Sequence, residues 1–239
     1  MSTAANNLFR ELSVSCSNCS LGELCIPHGL NQQDIELLDD SVSHTKLLRA
    51  GDVLYRQHSP FESLYALKSG SVKITTLNQE SNEDVMGVYL PGEIIGFDGL
   101  SEGQYQCSIQ ALETSNICEI NLDKLQSSIP NIYKQLLKHA SKAINDSNNN
   151  AATGKVSAEK RIVSFLLDLA ERYRVGGYIF TEFNFFLSRT EMGNFLNLSP
   201  ETVSRGIRKL ERDKLITLQH QRRIKINDLD GLKSLLTTP

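Results

Sequence analysis

Hydrophobic and polar positions in the middle of the chain alternate in short runs, as they do along β-strands. Between residues 46 and 125 these runs include 53–55, 63–67, 71–75 and 84–89. Seven of the 15 glycines fall between Gly51 and Gly103, where they separate the runs as turns. The pattern predicts a compact antiparallel sandwich or roll, whose interior could hold a ligand or only side chains.

Helical periodicity is present on both sides of this region. Residues 30–38 predict a short helix with Asn31 as its N-cap. Residues 129–144 predict a longer helix with one narrow apolar stripe, formed by Ile132, Leu136, Ala140, Ala143 and Ile144. Such a stripe is typical of a coiled-coil-like seam with a second copy of the chain, and equally of a helix that packs on its own β domain.

The last third of the chain has a different organisation. Polar residues 145–154 interrupt the helical pattern and mark a domain boundary, after which Ser157 can cap a helix that runs to about Arg174. Residues 190–196 predict a further helix, and Ser199 and Pro200 supply the N-cap and first residue of the next one. This arrangement is typical of a helix-turn-helix. A hairpin at 215–226 with a basic tip fits a wing that contacts phosphates.

The second helix of this motif has an apolar side and a polar side. Apolar residues recur at spacings of four and three (Val203, Ile207, Leu210), and the opposite side carries Glu201, Ser204, Arg205 and Arg208. Arg205 can pair with O6 and N7 of guanine, Glu201 can accept from N4 of cytosine, and Ser204 can contact a neighbouring base. We therefore predict a major-groove reader, and include Arg189 and Thr190, at the start of the first helix, in its DNA-contacting set.

Any amphipathic surface helix carries charges on its outer face, so the polar side of this helix does not by itself indicate DNA binding. The distribution of charge along the whole chain provides a separate test of DNA binding. The net charge is only −3, but residues 1–154 have 10 Lys+Arg against 18 Asp+Glu, a balance of −8. Residues 155–226 have 14 against 8, a balance of +6. A basic block on an acidic chain is expected of a nucleic-acid-binding domain, although a solvated basic face gives the same count.

Cysteines are the most distinctive chemical feature of the N-terminal segment. The chain has no secretory leader and no apolar run long enough to span a bilayer, which predicts a soluble cytoplasmic protein whose thiols stay reduced. Three of the five cysteines, Cys16, Cys19 and Cys25, have the spacing C-x2-C-x5-C. A fourth ligand must come from Cys107, Cys118, a histidine or solvent. The spacing permits structural zinc, an iron–sulfur cluster or oxidant-sensing free thiols.

Several motifs together resemble a known family. The third cysteine runs into Ile26-Pro27, and the chain continues with ALETSNICEI at 111–120, Gly193-Asn194 and ETVSR at 201–205. In this order, over essentially the whole chain, they resemble the fumarate and nitrate reduction regulators (FNR/ANR type) of the CRP/FNR superfamily. The resemblance implies an α+β fold with an N-terminal antiparallel β-roll similar to cyclic-nucleotide-binding domains, a long dimerisation helix and a C-terminal winged helix-turn-helix.

The resemblance also implies how the chain is divided into functional segments. The expected segments are a cysteine-rich cluster-binding segment (1–28), a β-roll sensory domain (29–128), a dimerisation helix with a hinge (129–154) and a winged helix-turn-helix DNA-binding domain (155–239). The implied ligands of an oxygen-labile 4Fe–4S cluster are Cys16, Cys19, Cys25 and Cys118, with Cys107 as a spare and with Ser20 and Leu24 shielding the cluster. The polar residues 147–150 depart from the longer apolar helix of the family.

The implied function is oxygen-responsive control of anaerobic gene expression. Glu201, Ser204 and Arg205 match the family's base-contacting residues, which implies a double-stranded DNA palindrome of the TTGAT-N4-ATCAA kind. The other implied partners are RNA polymerase, for which the acidic loop 79–84 is a candidate docking surface, and a second copy of the chain while the cluster is intact.

Three alternatives follow from the same residues. A cyclic nucleotide needs a cation for its phosphate, but no arginine occurs between Arg56 and Arg161 and residues 105–108 read Tyr-Gln-Cys-Ser, so we predict that none binds. A thiol oxidoreductase is not expected, because no βαβ pattern or catalytic partner set accompanies the cysteines. A DNA-binding regulator with structural zinc or a thiol redox site is the alternative that stays open.

Overall fold

A computed structural model describes residues 15–78, 82–129, 132–151, 156–184, 186–219 and 223–237. The helices in chain order are α1 (Gln32–Ser41), α2 (Leu122–Ser128), α3 (Ile132–Ala151), α4 (Ala158–Val175), α5 (Arg189–Leu196), α6 (Pro200–Arg212) and α7 (Leu229–Thr237). The strands are β1 (Val42–Leu48), β2 (Val53–Tyr55), β3 (Leu64–Ser69), β4 (Val72–Leu77), β5 (Glu83–Tyr89), β6 (Ile94–Ile95), β7 (Ser108–Ala111), β8 (Ser115–Ile120), β9 (Glu182–Asn184), β10 (Ile216–Gln219) and β11 (Arg223–Ile226). None of these described helices could cross a membrane, because none combines the necessary length with the necessary apolar character.

The chain forms two compact units. The first contains the described residues of Met1–Val72 and Pro91–Lys142, and the second contains those of Lys73–Leu90 and Ala143–Pro239. In this division most of β4 and all of β5 belong to the second unit. The predicted segment bounds stay a prediction. Predictions for residues 79–81 and 220–222 lie outside the described residues.

Antiparallel strands build the first unit, as the sequence predicted. One sheet has the strand order β1-β8-β3-β6, and β2 pairs with β7. Cys118 lies on the central strand β8, between Thr45 of β1 and Ala66 of β3. Because β8 is paired on both sides, the backbone of Cys118 has a fixed position, whereas a cysteine on a loop depends on side-chain contacts for its placement.

The core of this unit joins the sheet to the helices on either side of it in sequence. Its buried members are Ile26, Leu38, Val42, Leu64, Ala66, Ile94, Cys118, Ile120, Leu125, Ile129, Ile132 and Leu136. The side chains of Cys16 and Cys25 pack against this cluster. The cysteine segment is therefore part of the folded unit.

The long helix α3 differs from its sequence prediction at both ends. It begins at Ile132 and ends at Ala151, whereas the pattern predicted 129–144. The shorter helix α2, capped by Asn121, ends at Ser128 with Ile129 as its C-cap, so Ile129 belongs to the end of α2 and not to α3. At the other end the backbone of residues 147–150 is helical, because polar residues cost an established helix little per position.

Ile132 and Leu136 on α3 pack inside their own unit. They are 1% and 7% exposed and belong to the core around the sheet. For these two residues the structure supports the second of the two interpretations of the apolar stripe, packing on the chain's own β domain. Any seam with a second copy has to use other residues of the helix.

The second unit contains the helix-turn-helix that the sequence predicted. Ser157 caps α4, Ser199 caps α6, and Pro200 is the first residue of α6. A three-stranded sheet with the strand order β10-β11-β9 forms the wing. The hairpin of β4 and β5 packs in the same unit: Nζ of Lys73 lies 2.6 Å from Oε1 of Glu191 on α5, and Arg172 on α4 donates to the carbonyl oxygen of Val88.

Candidate cysteine centre and nucleic-acid interface

Successive tight turns fold the cysteine segment into a compact loop. A short 3₁₀ helix spans Cys16–Asn18, and the N–H of Gly22 donates to the carbonyl oxygen of Cys19 at 3.1 Å. The N–H of Cys25 donates to the carbonyl oxygen of Leu21 at 2.9 Å. Three cysteines that are distributed over ten residues are thereby brought onto one side of the loop.

All four cysteines that the resemblance implied as ligands line one cleft. Cys16, Cys19 and Cys25 come from the loop, and Cys118 comes from β8. The cleft has about 430 Å³ of empty space, part of it open to solvent, and its walls are mainly apolar (Leu21, Ile26, Pro27, Leu38, Val42, Ala66, Leu67, Ile120), with Lys68 as the one basic lining residue. Cys107 does not line this cleft.

Burial raises the pKa of three of the cleft thiols, those of Cys16, Cys25 and Cys118. Burial is the main cause that raises the pKa of Cys25 to about 12 and that of Cys118 to about 11. It also raises the pKa of Cys16, where the nearby carboxylate of Asp39 adds to the effect. Repulsion from the thiolates of neighbouring cysteines further raises the pKa values of Cys16, Cys25 and Cys118. A bound metal reverses this balance, since a coordinating thiol is deprotonated outright.

The chemistry of the donor set is compatible with a thiolate-bound metal centre. A 4Fe–4S cluster is held by four cysteine thiolates, each on a different iron. Tetrahedral zinc also accepts four thiolates around one centre. Among the residues that the structure describes, no group of three His, Cys, Asp or Glu side chains is arranged to hold a metal ion. The four cysteines around the cleft supply the ligand type and number that either centre requires.

Cys107 lies in a different environment within the roll. Its Sγ donates to Oδ2 of Asp98 at 3.1 Å, and the same oxygen accepts from the backbone N–H of Gln106. The neighbouring Tyr105 is 1% exposed and stacks on Tyr55 with 3.6 Å between ring centroids. These contacts involve residues 105–107, within the stretch 105–108 in which the sequence has no arginine.

The two residues proposed to shield the cluster lie outside the cleft lining. Ser20 is exposed, and Leu24 is half-buried. Leu24 packs on Gly92, where φ is +92° and an added Cβ would lie 2.8 Å from the Cβ of Leu24. Leu24 therefore fixes the loop against the roll, and its shielding role stays a prediction.

Two helices contact the cysteine loop at its two ends. At the start, the carboxylate of Asp39 on α1 accepts hydrogen bonds from Ser15, Cys16 and Ser17. Asp39 could not be singled out from the sequence, because one acidic residue on an amphipathic helix carries no distinguishing signal.

The end of the loop contacts α3. The imidazole of His139 hydrogen-bonds with the backbone of Cys25, and burial lowers the pKa of this histidine. Gln135 is 6% exposed and lies under Gly29, where φ is +82° and an added Cβ would lie 2.8 Å from Nε2 of the glutamine. Gln135 and His139 were also missed, although a polar residue within an apolar stripe is a usable sequence signal.

A second apolar face of α3 is exposed in the single chain. Tyr133, Leu137 and Ile144 are 48%, 69% and 61% exposed. With the half-buried Ala140 they follow the heptad spacing of four, three and four. We call these four residues the seam face. It lies roughly a third of a turn around the helix from Ile132 and Leu136. Of the predicted stripe, Ala140 and Ile144 belong to the seam face, and Ala143 is half-buried beside it.

The helix-turn-helix is held by backbone geometry and by one arginine. Ser188 and Glu191 form a capping box at the start of α5, and Asn197 ends the helix with φ of 53°. An added Cβ at Gly193 would lie 2.5 Å from the carbonyl oxygen of Leu198, so the tight turn requires glycine. Arg161 donates to the carbonyl oxygen of Leu196 at 3.1 Å, which satisfies the end of α5.

The predicted base-reading side chains project from the exposed side of α6. Val203, Ile207 and Leu210 are buried, whereas Glu201, Arg205 and Arg208 are exposed and Ser204 is half-buried. Arg205 donates to Oγ1 of Thr202 at 3.1 Å, one turn earlier. On α5, Thr190 is exposed and Arg189 is half-buried. An added Cβ at Gly206 would overlap Cδ1 of Ile162, so this glycine permits the close approach of α4 and α6.

Comparisons with known proteins agree with this architecture. A family model described as a Crp-like helix-turn-helix domain matches residues 160–235, and one described as a cyclic nucleotide-binding domain matches residues 45–130. The solved structure of FixK2 from Bradyrhizobium japonicum is similar, with a TM-score of 0.73, 20% sequence identity and coverage of 83% of this chain and 99% of that one. A β-roll, a long helix and a winged helix-turn-helix define a DNA-binding transcription regulator.

Similar sequences identify the family within this class. The chain is 37% identical over 228 residues to the transcriptional regulatory protein btr of Bordetella pertussis, covering 94% of each chain. It is 36% identical over 208 residues to the transcriptional activator protein anr of Pseudomonas aeruginosa, covering 85% of each. The chain therefore belongs to the FNR/ANR-type regulators of the CRP/FNR superfamily. As the sequence predicted, its relatives are transcription regulators and not enzymes.

Proposed function

We propose that this regulator senses oxygen through a 4Fe–4S cluster held by Cys16, Cys19, Cys25 and Cys118, and controls anaerobic genes as a dimer on TTGAT-N4-ATCAA-like palindromes. The observation that carries the proposal is the convergence of these four thiols on one cleft. When bound, the cluster supplies oxygen-sensitive redox chemistry. The other proposed partner is RNA polymerase.

The contacts of α3 support a coupling between the cysteines and dimerisation. Gln135 and His139 on this helix contact the end of the cysteine loop, and the neighbouring seam face is exposed. With all four cysteines ligated, the loop holds α3 in place through these contacts. A fixed α3 presents the seam face of Tyr133, Leu137, Ala140 and Ile144 to a second copy. The loss of ligation removes this constraint, which shifts the equilibrium toward the monomer.

Dimerisation brings two recognition helices to two half-sites. Helix-turn-helix dimers contact half-sites about one helical turn of DNA apart, which requires a palindrome. On each half-site Arg205 pairs with guanine, Glu201 accepts from cytosine, and Ser204 contacts the adjacent base. Three further side chains would contact the DNA around these base pairs. They are Arg189 and Thr190 on α5 and Arg208 on α6.

The direct test measures iron and DNA binding in one sample. Protein that is purified without oxygen is expected to contain about four iron and four sulfide per chain and to have a broad visible absorbance. It should bind the palindrome tightly, and exposure to air should remove the absorbance and weaken binding together. A duplex with scrambled half-sites is the control. Protein without iron and sulfide, or with the same DNA affinity before and after air, would contradict the proposal.

Replacement of Arg205 tests the base-reading role. Arg205→Ala is expected to reduce discrimination at one guanine of the half-site by about 1–3 kcal/mol, because one bidentate contact is lost. Binding to duplexes with each base at that position measures this effect. Arg212→Ala is the matched control, since Arg212 is an exposed arginine at the other end of α6. An equal loss of affinity for all duplexes with Arg205→Ala would mean that the residue contributes only charge.

A further inference from the structure

Three hydrogen-bond donors from consecutive residues converge on one carboxylate beside the cysteine cleft. The hydroxyl groups of Ser15 and Ser17 donate to Oδ2 of Asp39, at 3.2 and 2.9 Å. The backbone N–H of Cys16 donates to Oδ1 of the same side chain. Both oxygens of Asp39 are therefore used to hold the residue that carries the first thiol.

The position of Asp39 on its helix is unfavourable for the helix itself. Asp39 lies in the last turn of α1, which contains no basic residue. A negative charge near a helix C-terminus destabilises the helix, because the partial charge there is also negative. The carboxylate also lies close to the thiol of Cys16 and raises its pKa. The benefit of an acidic residue here comes from the hydrogen bonds that it accepts.

Two of the other three ligand candidates have anchors of their own. Cys118 is fixed in a strand with partners on both sides, and the backbone of Cys25 is bonded to Leu21 and His139. Within the described part of the chain, the hydrogen bonds from residues 15–17 to other elements all go to Asp39. Among the described residues, the other hydrogen bond of this stretch stays inside the loop, where the carbonyl oxygen of Cys16 accepts from the N–H of Cys19 at 3.3 Å.

We propose that Asp39 is a positioning residue, which holds Cys16 at the cleft by accepting the N–H of Cys16 and the hydroxyl groups of the two flanking serines. The role of Cys16 as a cluster ligand rests on the proposed function. The effect of Asp39 on the position of Cys16 can be measured in protein without metal. Asp39 does not bind the metal in this proposal, since both of its oxygens are engaged. It acts on the site only through the backbone of Cys16.

Thiol labelling in metal-free protein tests the proposal directly. The labelling rate of Cys16 with iodoacetamide, measured by mass spectrometry against Cys107 in the same chain, is compared for wild type, Asp39→Ala and Asp39→Asn. Both variants remove the negative charge, but asparagine keeps the shape and one acceptor oxygen. We expect Asp39→Ala to increase the relative rate about tenfold over wild type, and about fivefold over Asp39→Asn, because a net hydrogen bond changes a local equilibrium by about this factor. Glu36→Ala, which removes an exposed carboxylate from the same helix, is the control and should leave the rate unchanged.

Iron uptake provides the second measurement. After anaerobic reconstitution, Asp39→Ala should retain iron at least about tenfold more weakly than wild type, as is usual when the support of a ligand is removed, while Asp39→Asn falls between them. Equal labelling rates and equal iron retention for Asp39→Ala and Asp39→Asn would overturn the proposal, since charge alone would then explain any change. If wild type itself takes up no iron, the proposed function fails, and the labelling comparison still decides the role of Asp39.

Discussion

Replacement of Cys118 by serine is expected to prevent stable cluster binding and, with it, tight DNA binding in the absence of oxygen. Cys118 is the only one of the four cleft cysteines that the sheet supplies, and it lies opposite the three on the loop. Removal of groups that merely support a metal ligand weakens binding about 10–100-fold, so removal of a ligand should cost at least as much. Iron and sulfide content after anaerobic reconstitution, with binding to the palindrome, measures the effect.

Cys107→Ser is the matched control for this experiment. Cys107 is also buried in the roll, but its Sγ donates to Asp98 away from the cleft. A serine hydroxyl can donate to the same carboxylate, so this variant should keep wild-type iron content and DNA affinity. The opposite result, iron loss with Cys107→Ser and normal content with Cys118→Ser, would show that the fourth ligand has been assigned to the wrong cysteine.

Leu137→Asp is expected to weaken the dimer of the iron-loaded protein at least about 100-fold. A leucine that becomes buried contributes about 1.5–3 kcal/mol, and a two-fold seam contains the residue twice. A buried aspartate without a partner adds a further cost. Sedimentation under nitrogen, over a range of protein concentrations, gives the dissociation constant. The same variant should bind a single half-site normally, because its recognition helix is unchanged.

Leu47→Asp is the control that distinguishes a specific effect on the seam face from a general effect of added surface charge. Leu47 lies on β1 and is 64% exposed, close to the 69% of Leu137. The same substitution there should leave the dimer unchanged. If both variants weaken the dimer equally, or if neither does, the seam face is not the contact between the two copies.

The helix-turn-helix could be predicted in detail because its signals are local. Ser157, Ser199 and Pro200 each act within one turn of the backbone, and each occupies the cap or first position that the sequence indicated. Gly206, inside α6, is not explained by any of these local signals. The contact with Ile162 shows that the glycine permits close helix packing, which is a tertiary fact that no local pattern contains.

The direction in which α3 faces could not be predicted from its pattern. The helix has two apolar faces, one with Ile132 and Leu136 and the other with Tyr133 and Leu137. Ala140 lies between them, so a single stripe drawn through it combines residues from both. Which face packs on the roll depends on the position of the sheet and of the cysteine loop, and those contacts are distant in sequence.

The cysteine centre was predicted in part. The spacing C-x2-C-x5-C predicted that Cys16, Cys19 and Cys25 bind one centre. Cys118 was predicted as the fourth ligand only because of the resemblance to a family. The cleft now gives a structural reason for that choice, since Cys118 lines it and Cys107 does not. Asp39 gave no signal in the sequence, because its significance depends on the approach of the loop to the end of α1.

The placement of Cys118 on a central strand also has a consequence for stability. Cys25 and Cys118 are separated by most of the first unit in sequence, so a group that binds both closes a long loop of the chain. A covalent cross-link over a loop of about 100 residues reduces the entropy of the unfolded chain by an amount worth roughly 4–5 kcal/mol. We therefore expect the protein to resist unfolding more when its cysteines are ligated. Under the proposed function, the loss of the cluster would then lower DNA binding and also make the chain easier for proteases to degrade.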